Sequence, residues 1–208
     1  EKNQMTQWIR LIQPHSGAGK GFHFIPEIGE EVLVGFESGN AEKPFVMGTH
    51  YNGSETSSYH TSGNDKKVIH TRSGTKIILN DAEGSVFIED PSGNTYLMDG
   101  QGNINLSAPK NMSFTAGENV LINAGNNIIA SAQKNVNILA GEDITETAND
   151  DYNLTASNII ETAEVGRSSM AKKITENMQS GAYISTKDAI NVESAKEVNV
   201  NSGKQVKM

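Results

Sequence analysis

The sequence predicts an all-β protein whose second half is an intertwined homotrimeric β-helix, a β-prism needle, and three observations predict it. From about residue 108 onward a phrase of eight residues recurs: KNMSFTAG (110–117), ENVLINAG (118–125), NNIIASAQ (126–133), KNVNILAG (134–141). Within the phrase the third, fifth and seventh positions are apolar or small, as at Val120, Ile122 and Ala124 or Val136, Ile138 and Ala140. The positions between are polar, as at Asn123, Asn137 and Asn199, with Leu121 an exception. Alternation at period two is a strand with one face to bury. The eighth position is often glycine (Gly117, Gly125, Gly141, Gly203), where a tight bend at positive φ is expected.

A strand of five or six residues ending in a bend cannot bury its apolar face alone, so such repeats gain a core only by stacking. One chain closing a solenoid coil by itself needs roughly 18 or more residues per coil. Eight are too few, and the calcium-roll pattern G-G-x-G-x-D-x-U-x is missing. Three chains sharing each turn close a triangular prism, with Val and Ile at the axis and small residues at the crowded corner. Winding also removes exposed strand edges, which invite aggregation in long Asn-rich strands. The competing reading of this Asn-, Ser- and Thr-rich segment is a flexible polar tail. Disorder would not preserve both periods.

The repeat continues as EDITETAN, DDYNLTAS, DAINVESA (188–195) and KEVNVNSG (196–203), but weakens over 161–180. There Met170, Lys172, Lys173 and Met178 stand where Val and Ile are expected. Gly141 and Gly203 are 62 residues apart, not a multiple of eight, so the register slips by two. An even slip keeps the same face inward. An irregular continuation of the prism and a short helix-like interruption are both open, the former preferred.

Composition sets bounds on the rest. The chain has 208 residues, 36% hydrophobic and 6% aromatic, so a large conventional core is not expected. With no cysteine there is no disulfide framework and no Cys-based zinc site. A net charge of −8 argues against a nucleic-acid backbone as partner. No run of about 20 apolar residues exists to span a membrane as a helix. The opening EKNQMTQWIRLIQP has no apolar stretch of a signal peptide and reads as if it enters mid-domain.

Ahead of the needle, residues 6–12 (TQWIRLI) read as a strand ending at Pro14, followed by a glycine-rich mobile surface loop, HSGAGKGFHF. The loop is no P-loop, because Lys20 is followed by Gly21 rather than Ser or Thr. Residues 31–36 and 45–49, parted by the turn-rich SGNAEK, form an antiparallel hairpin of a small barrel or sheet. Residues 56–65 are a polar linker, about ten residues long. Residues 67–107 are short strands broken at Gly74, Gly84, Ser92–Gly93–Asn94 and Gly100–Gln101–Gly102, a transition that narrows into the prism. The expected domains are therefore 1–55, the linker 56–66, transition strands 67–107 and octads 108–208.

These residues carry a specific resemblance. The Trp8–Arg10 strand, the phrase Pro26–Glu27–Gly29–Glu31–Val32, Gly35–Phe36, and the Pro44-to-Gly48 strand followed by Tyr51–Asn52–Gly53 resemble the later strands of the OB-type barrel of VgrG proteins. These are the spikes of type VI secretion systems, related to the central spikes of contractile phage tails. The stretch 70–111 is similar to the VgrG entry into its β-prism. The family's N-terminal hub and the first barrel strands lie outside this sequence. The resemblance implies a partial OB-type barrel followed by a homotrimeric needle that pierces a target membrane rather than binding it. It implies secretion tube or baseplate proteins at the N-terminal end, a PAAR-like tip protein at the C-terminal end, and effectors carried along. Assembly in the bacterial cytoplasm and injection into a target cell are implied too.

Candidate chemistry is sparse. His15, His23, His50, His60 and His70 all precede the needle, so no tip metal of the kind some phage spikes carry is expected. Neighbours on a strand point to opposite faces, so Glu142–Asp143 and Asp150–Asp151 cannot converge as glycosidase acids. Ser73–Gly74 and Ser92–Gly93 are turn residues without a nucleophile elbow. No catalytic residue, metal or cofactor is expected. The remaining candidate is the C-terminal platform Lys204, Val206 and Met208, which could seat the tip cap. The alternatives in other classes are a trimeric host-recognition fibre or adhesin and a β-helical polysaccharide-degrading enzyme. The first would want aromatics beyond Phe114, where only Tyr152 and Tyr183 occur; the second would want long loops bearing convergent acids.

Overall fold

A computed structural model describes residues 8–182 and 184–203. It divides the chain into two units, Glu1–Ile129 and Ala130–Met208. The described chain is all-β, its one helical element being the 3-10 turn Glu37–Gly39.

In the first unit, β1 (Arg10–Leu11), β4 (Val32–Phe36) and β5 (Pro44–Thr49) form one sheet in the order β1-β5-β4. The β4–β5 pair is the expected antiparallel hairpin, and β1 adds to its edge in parallel. Val-rich β4 favours a pleated strand, and Gly35 is there for a packing reason: an added Cβ would lie 2.8 Å from Cζ of Phe45, the residue paired opposite it. Just past the hairpin, Asn52 ties the chain back. Its Oδ1 accepts from the N–H groups of Ser54 and Glu55, and its Nδ2 donates to Glu31 at 3.2 Å.

The glycine-rich segment expected to be a loop is a hairpin instead. Strands β2 (Ser16–Gly17) and β3 (Lys20–Gly21) pair antiparallel around Ala18 and Gly19. Gly19 (φ 71°) takes the left-handed backbone that this tight two-residue connection requires, while Gly21 (φ 121°) lies in β3, where an added Cβ would meet the His15 carbonyl oxygen.

Five strands then run as a meander: β6 (Lys66–His70), β7 (Lys76–Asn80), β8 (Ser85–Glu89), β9 (Thr95–Met98) and β10 (Ile104–Ser107), each paired antiparallel with the next. Three of its connections share one design. In 71–75, 90–94 and 99–103 the fourth residue is Gly74 (φ 98°), Gly93 (φ 85°) or Gly102 (φ 95°). This is the three-residue hairpin loop in which a left-handed glycine closes a bulge. Asp90 and Asp99 brace two of them identically: the carboxylate accepts from the backbone N–H two and four residues on, and from the side chain of Asn94 or Asn103 at 2.7 Å.

Beyond residue 107 the described chain contains no strand pairing and, up to residue 200, no backbone–backbone hydrogen bond between described residues. It is extended, with bends at 109–110, 117–118, 125–126, 133–134, 141–142 and 149–150, every eight residues. The bends continue at 157, 164–165, 172, 179–180, 187–188 and 195–196. The register slip of two is thus two separate losses of one residue, each at a corner that bends over one residue instead of two. The local sequence explains the geometry. At ordinary corners three residues separate the seventh-position alanine from the next apolar residue, as between Ala116 and Val120; at the short ones only two do, Ala156 to Ile159 and Ala171 to Ile174. A slip of one within a strand would invert its faces; absorbed at a corner, it leaves them in place. No helix interrupts residues 161–180.

The corner glycines do not behave as expected. Gly117, Gly125, Gly141 and Gly203 are not at positive φ, and nothing lies within 4 Å of where a Cβ would sit. The bend asks for no special backbone, which is why Gln133, Asn149 and Gln179 occupy the same place in other repeats.

Candidate functional site

The feature that sets this chain apart is a stripe of apolar side chains that no other described residue covers. Third- and fifth-position residues are the less exposed side of each repeat, as at Val120 (61%) and Ile122 (69%), against Leu121 (82%) between them. The same contrast fixes the phase through the irregular stretch, where Ile159 is 55% exposed and Ile160 87%. Ile159 and Ile174 therefore hold the stripe there. Met178 falls on it at the seventh position, but Met170, 97% exposed, lies on the opposite face. Eight successive repeats carry alanine at the seventh position, from Ala116 through Ala156 and Ala163 to Ala171, once both short corners are counted.

Two places on the stripe carry paired polar side chains, and Ser169 and Glu176 are further polar residues at fifth positions. Tyr152 Oη donates to Glu146 Oε2 at 2.6 Å, and this hydrogen bond, with the carboxylate's charge, holds the phenol pKa above its ordinary value. Arg167 Nε faces Glu161 Oε2 at 2.9 Å.

The meander is covered only in part: Ile69, Ile77, Ile88 and Leu106 are exposed, while Val68, Ile78, Phe87 and Leu97 are half-buried. Register places Ile69, Ile77, Ile88, Tyr96 and Leu106 on one face and Val68, Ile78, Phe87 and Leu97 on the other. A sheet apolar on both sides is built to be covered on both. Among the described residues no apolar side chain is buried, and the accessible surface is 21020 Å². A compact monomer of 22.4 kDa would expose roughly 9,000 Å².

The C-terminal candidates Lys204, Val206 and Met208 lie outside the described residues, as does Tyr183. Of the histidines, His70 makes a described side-chain contact, Nδ1 standing 3.0 Å from Tyr59 Oη and anchoring the segment before β6. Among the described residues no three His, Asp or Glu side chains gather as metal ligands would. Ser73 and Ser92 sit in the hairpin loops, where Ser73 Oγ pairs with Thr71 Oγ1 and the Ser92 N–H donates to Asp90. Sequence reasoning missed the paired polar stripe positions; the spacing of six residues between each carboxylate and its partner was the available signal.

Comparison with known proteins bears on both halves. Residues 1–51 match the type VI secretion system/phage-baseplate injector OB domain. Residues 93–208, more than half of the chain, match the family described as an uncharacterized protein conserved in bacteria, DUF2345. Over 69 residues the chain is 38% identical to the type VI secretion system spike protein VgrG1c of Pseudomonas aeruginosa, a match covering 33% of this chain and 9% of that protein. The chain belongs to the VgrG family. Other VgrG relatives include the actin cross-linking toxin VgrG1 of Vibrio cholerae, 38% identical over 56 residues (27% of this chain, 5% of the relative), and spike protein VgrG3 of that species, 31% identical over 62 residues (30% and 6%). The matches thus span only a small part of each VgrG relative's length. No helix among the described residues is long and apolar enough to cross a membrane.

Proposed function

We propose that this chain is the barrel-to-needle part of a homotrimeric spike, the membrane-puncturing tip of a type VI secretion or other contractile injection apparatus. The observation that carries the reading is the octad segment itself: an apolar stripe kept in phase over more than ten bends, with no backbone–backbone hydrogen bond among the described residues from 108 to 200. Unpaired extended backbone and uncovered Val and Ile are both satisfied by neighbouring strands. Three copies winding together supply these at every turn, which gives residues 108–208 their core and the meander at 67–107 its cover. The OB-type barrel of residues 1–55, joined through residues 56–66, then meets the tube or baseplate. Lys204, Val206 and Met208 would present a three-fold platform to a PAAR-like cap, and effectors would ride on the assembled spike. A shaft cross-linked laterally by continuous hydrogen bonds transmits force without a catalytic group. Assembly takes place in the bacterial cytoplasm, and firing drives the spike into the target cell.

The test is molar mass by light scattering, together with gel mobility before and after boiling in SDS. A trimer that survives SDS until heated is the expected result, because an interlocked trimer unfolds slowly and cooperatively. A monomer would overturn the reading.

A further inference from the structure

Both paired polar steps of the stripe are built alike. Glu146 and Tyr152 stand six residues apart across the bend at 149–150, and Glu161 and Arg167 six apart across the bend at 164–165. In regular repeats the same two places carry Ile122 and Ile128, or Ile138 and Ile144. The Glu161 and Arg167 side chains are 53% and 68% exposed, so both would lose substantial solvent when the stripe is covered.

We propose that these two polar steps fix the register in which three copies of the chain align, an inference that rests on the homotrimeric reading. An octad repeat resembles itself at every step, so its apolar stripe specifies alignment weakly. A copy displaced by one full turn, three repeats, would bury nearly the same Val, Ile and Ala side chains. Strands that differ little along their length are prone to such slippage. The polar steps break the degeneracy. In register, each carboxylate level meets the same level of the other two copies, and every Glu161 keeps an Arg167 and every Glu146 a Tyr152. Out of register, a pair is pressed against the Ile or Val rows of its neighbours, where burying charge is costly. A single polar position in an apolar seam selects register in coiled coils for the same reason. The short corners at 157 and 172 reinforce the choice, because a displaced copy would oppose a one-residue bend to a two-residue one.

The chain has no cysteine, so one introduced at Ala124, far from both steps, reports register. Copies in register bring the three thiols to one level. A displacement of one turn separates them by about 14 Å, three strand spacings, too far for a disulfide. The full chain carrying Ala124→Cys is unfolded, refolded and oxidised, and cross-linked chains are counted on a non-reducing gel. Three thiols at one level form one disulfide and leave one chain free, so the trimer with its native polar steps should approach the limit of two thirds of its chains in cross-linked dimers. Replacing Glu146, Tyr152, Glu161 and Arg167 together by Ile should keep the trimer by light scattering yet lower the cross-linked fraction at least twofold. Arg167→Glu alone, which gathers six carboxylates, should abolish the trimer at micromolar concentration; adding Glu161→Arg should restore both trimer and cross-link. Equal cross-linking with and without the polar steps, or an Arg167→Glu chain that assembles normally, overturns the proposal while leaving the trimer intact. A parent chain that is monomeric overturns the trimer, and the register key with it.

Discussion

Glycine plays opposite roles in the two halves of this chain. Gly100 sits at φ 74°, and a Cβ there would fall onto the carbonyl oxygen of Glu83. Gly100→Ala is therefore expected to cost more than about 2 kcal/mol, combining the left-handed penalty with a backbone clash. Gly125→Ala, at an open corner with ordinary φ, should be neutral or stabilise by about 0.4–1 kcal/mol per chain through the unfolded state. Thermal unfolding midpoints of the two variants separate the roles. The aspartates bracing the hairpin loops give a second residue-level prediction. Hydrogen bonds, first from the Asn94 or Asn103 side chain and then from backbone N–H groups, hold the Asp90 and Asp99 carboxyls below their ordinary value of 3.8. A folded pKa below the unfolded one means stabilisation that is complete above about pH 4–5 and is lost as pH falls through the lowered value. Carboxyl NMR titration should show Asp99 moving back toward 3.8 in Asn103→Ala while Asp90 stays low.

At the scale of the strand and corner, the repeat tolerates length changes only where it bends. Gly inserted after Ser157 would turn a short corner into an ordinary one and leave Ile159 and later residues on the stripe. The same insertion between Asn137 and Ile138 would throw Ile138 and Ala140 to the opposite face, since side-chain direction inverts with a slip of one. Light scattering should find the first variant assembled and the second not. The meander's connections were legible in the sequence, because Ser73–Gly74, Ser92–Gly93–Asn94 and Gly100–Gln101–Gly102 carry the residues that bulged hairpin loops require. The hairpin at residues 16–21 was not. Its strands are two residues each and show no alternation, so only backbone pairing reveals them.

For the whole molecule, association takes the place of a core. An Ile buried by partner strands contributes about 1.5–3 kcal/mol per chain, and a trimer counts it three times. Ile138→Asp should therefore abolish assembly, while Leu139→Asp, one residue along and 96% exposed, should leave the molar mass unchanged. Equal behaviour of the two would mean that the stripe is not what the copies share. Surface ion pairs such as Arg72 with Glu27, 2.9 Å apart and largely exposed, contribute at most about 1 kcal/mol each and cannot replace that burial.

The sequence by itself determined the all-β class, the octad period and its apolar stripe, and the hairpin of residues 31–49, because each rests on local alternation and turn chemistry. The family resemblance was carried by the Trp8–Arg10 strand and by Phe24 to Gly53, where turn and strand residues stand in a recognisable order. Tertiary structure decided how the two lost residues are distributed, since a difference of 62 residues between two glycines is the same whether the loss falls at one corner or two. It decided that the corner glycines need no positive φ, which depends on the angle of the bend and not on the residue found there. It also joined Glu146 to Tyr152 and Glu161 to Arg167, pairs six residues apart that meet only because the corner between them folds the chain.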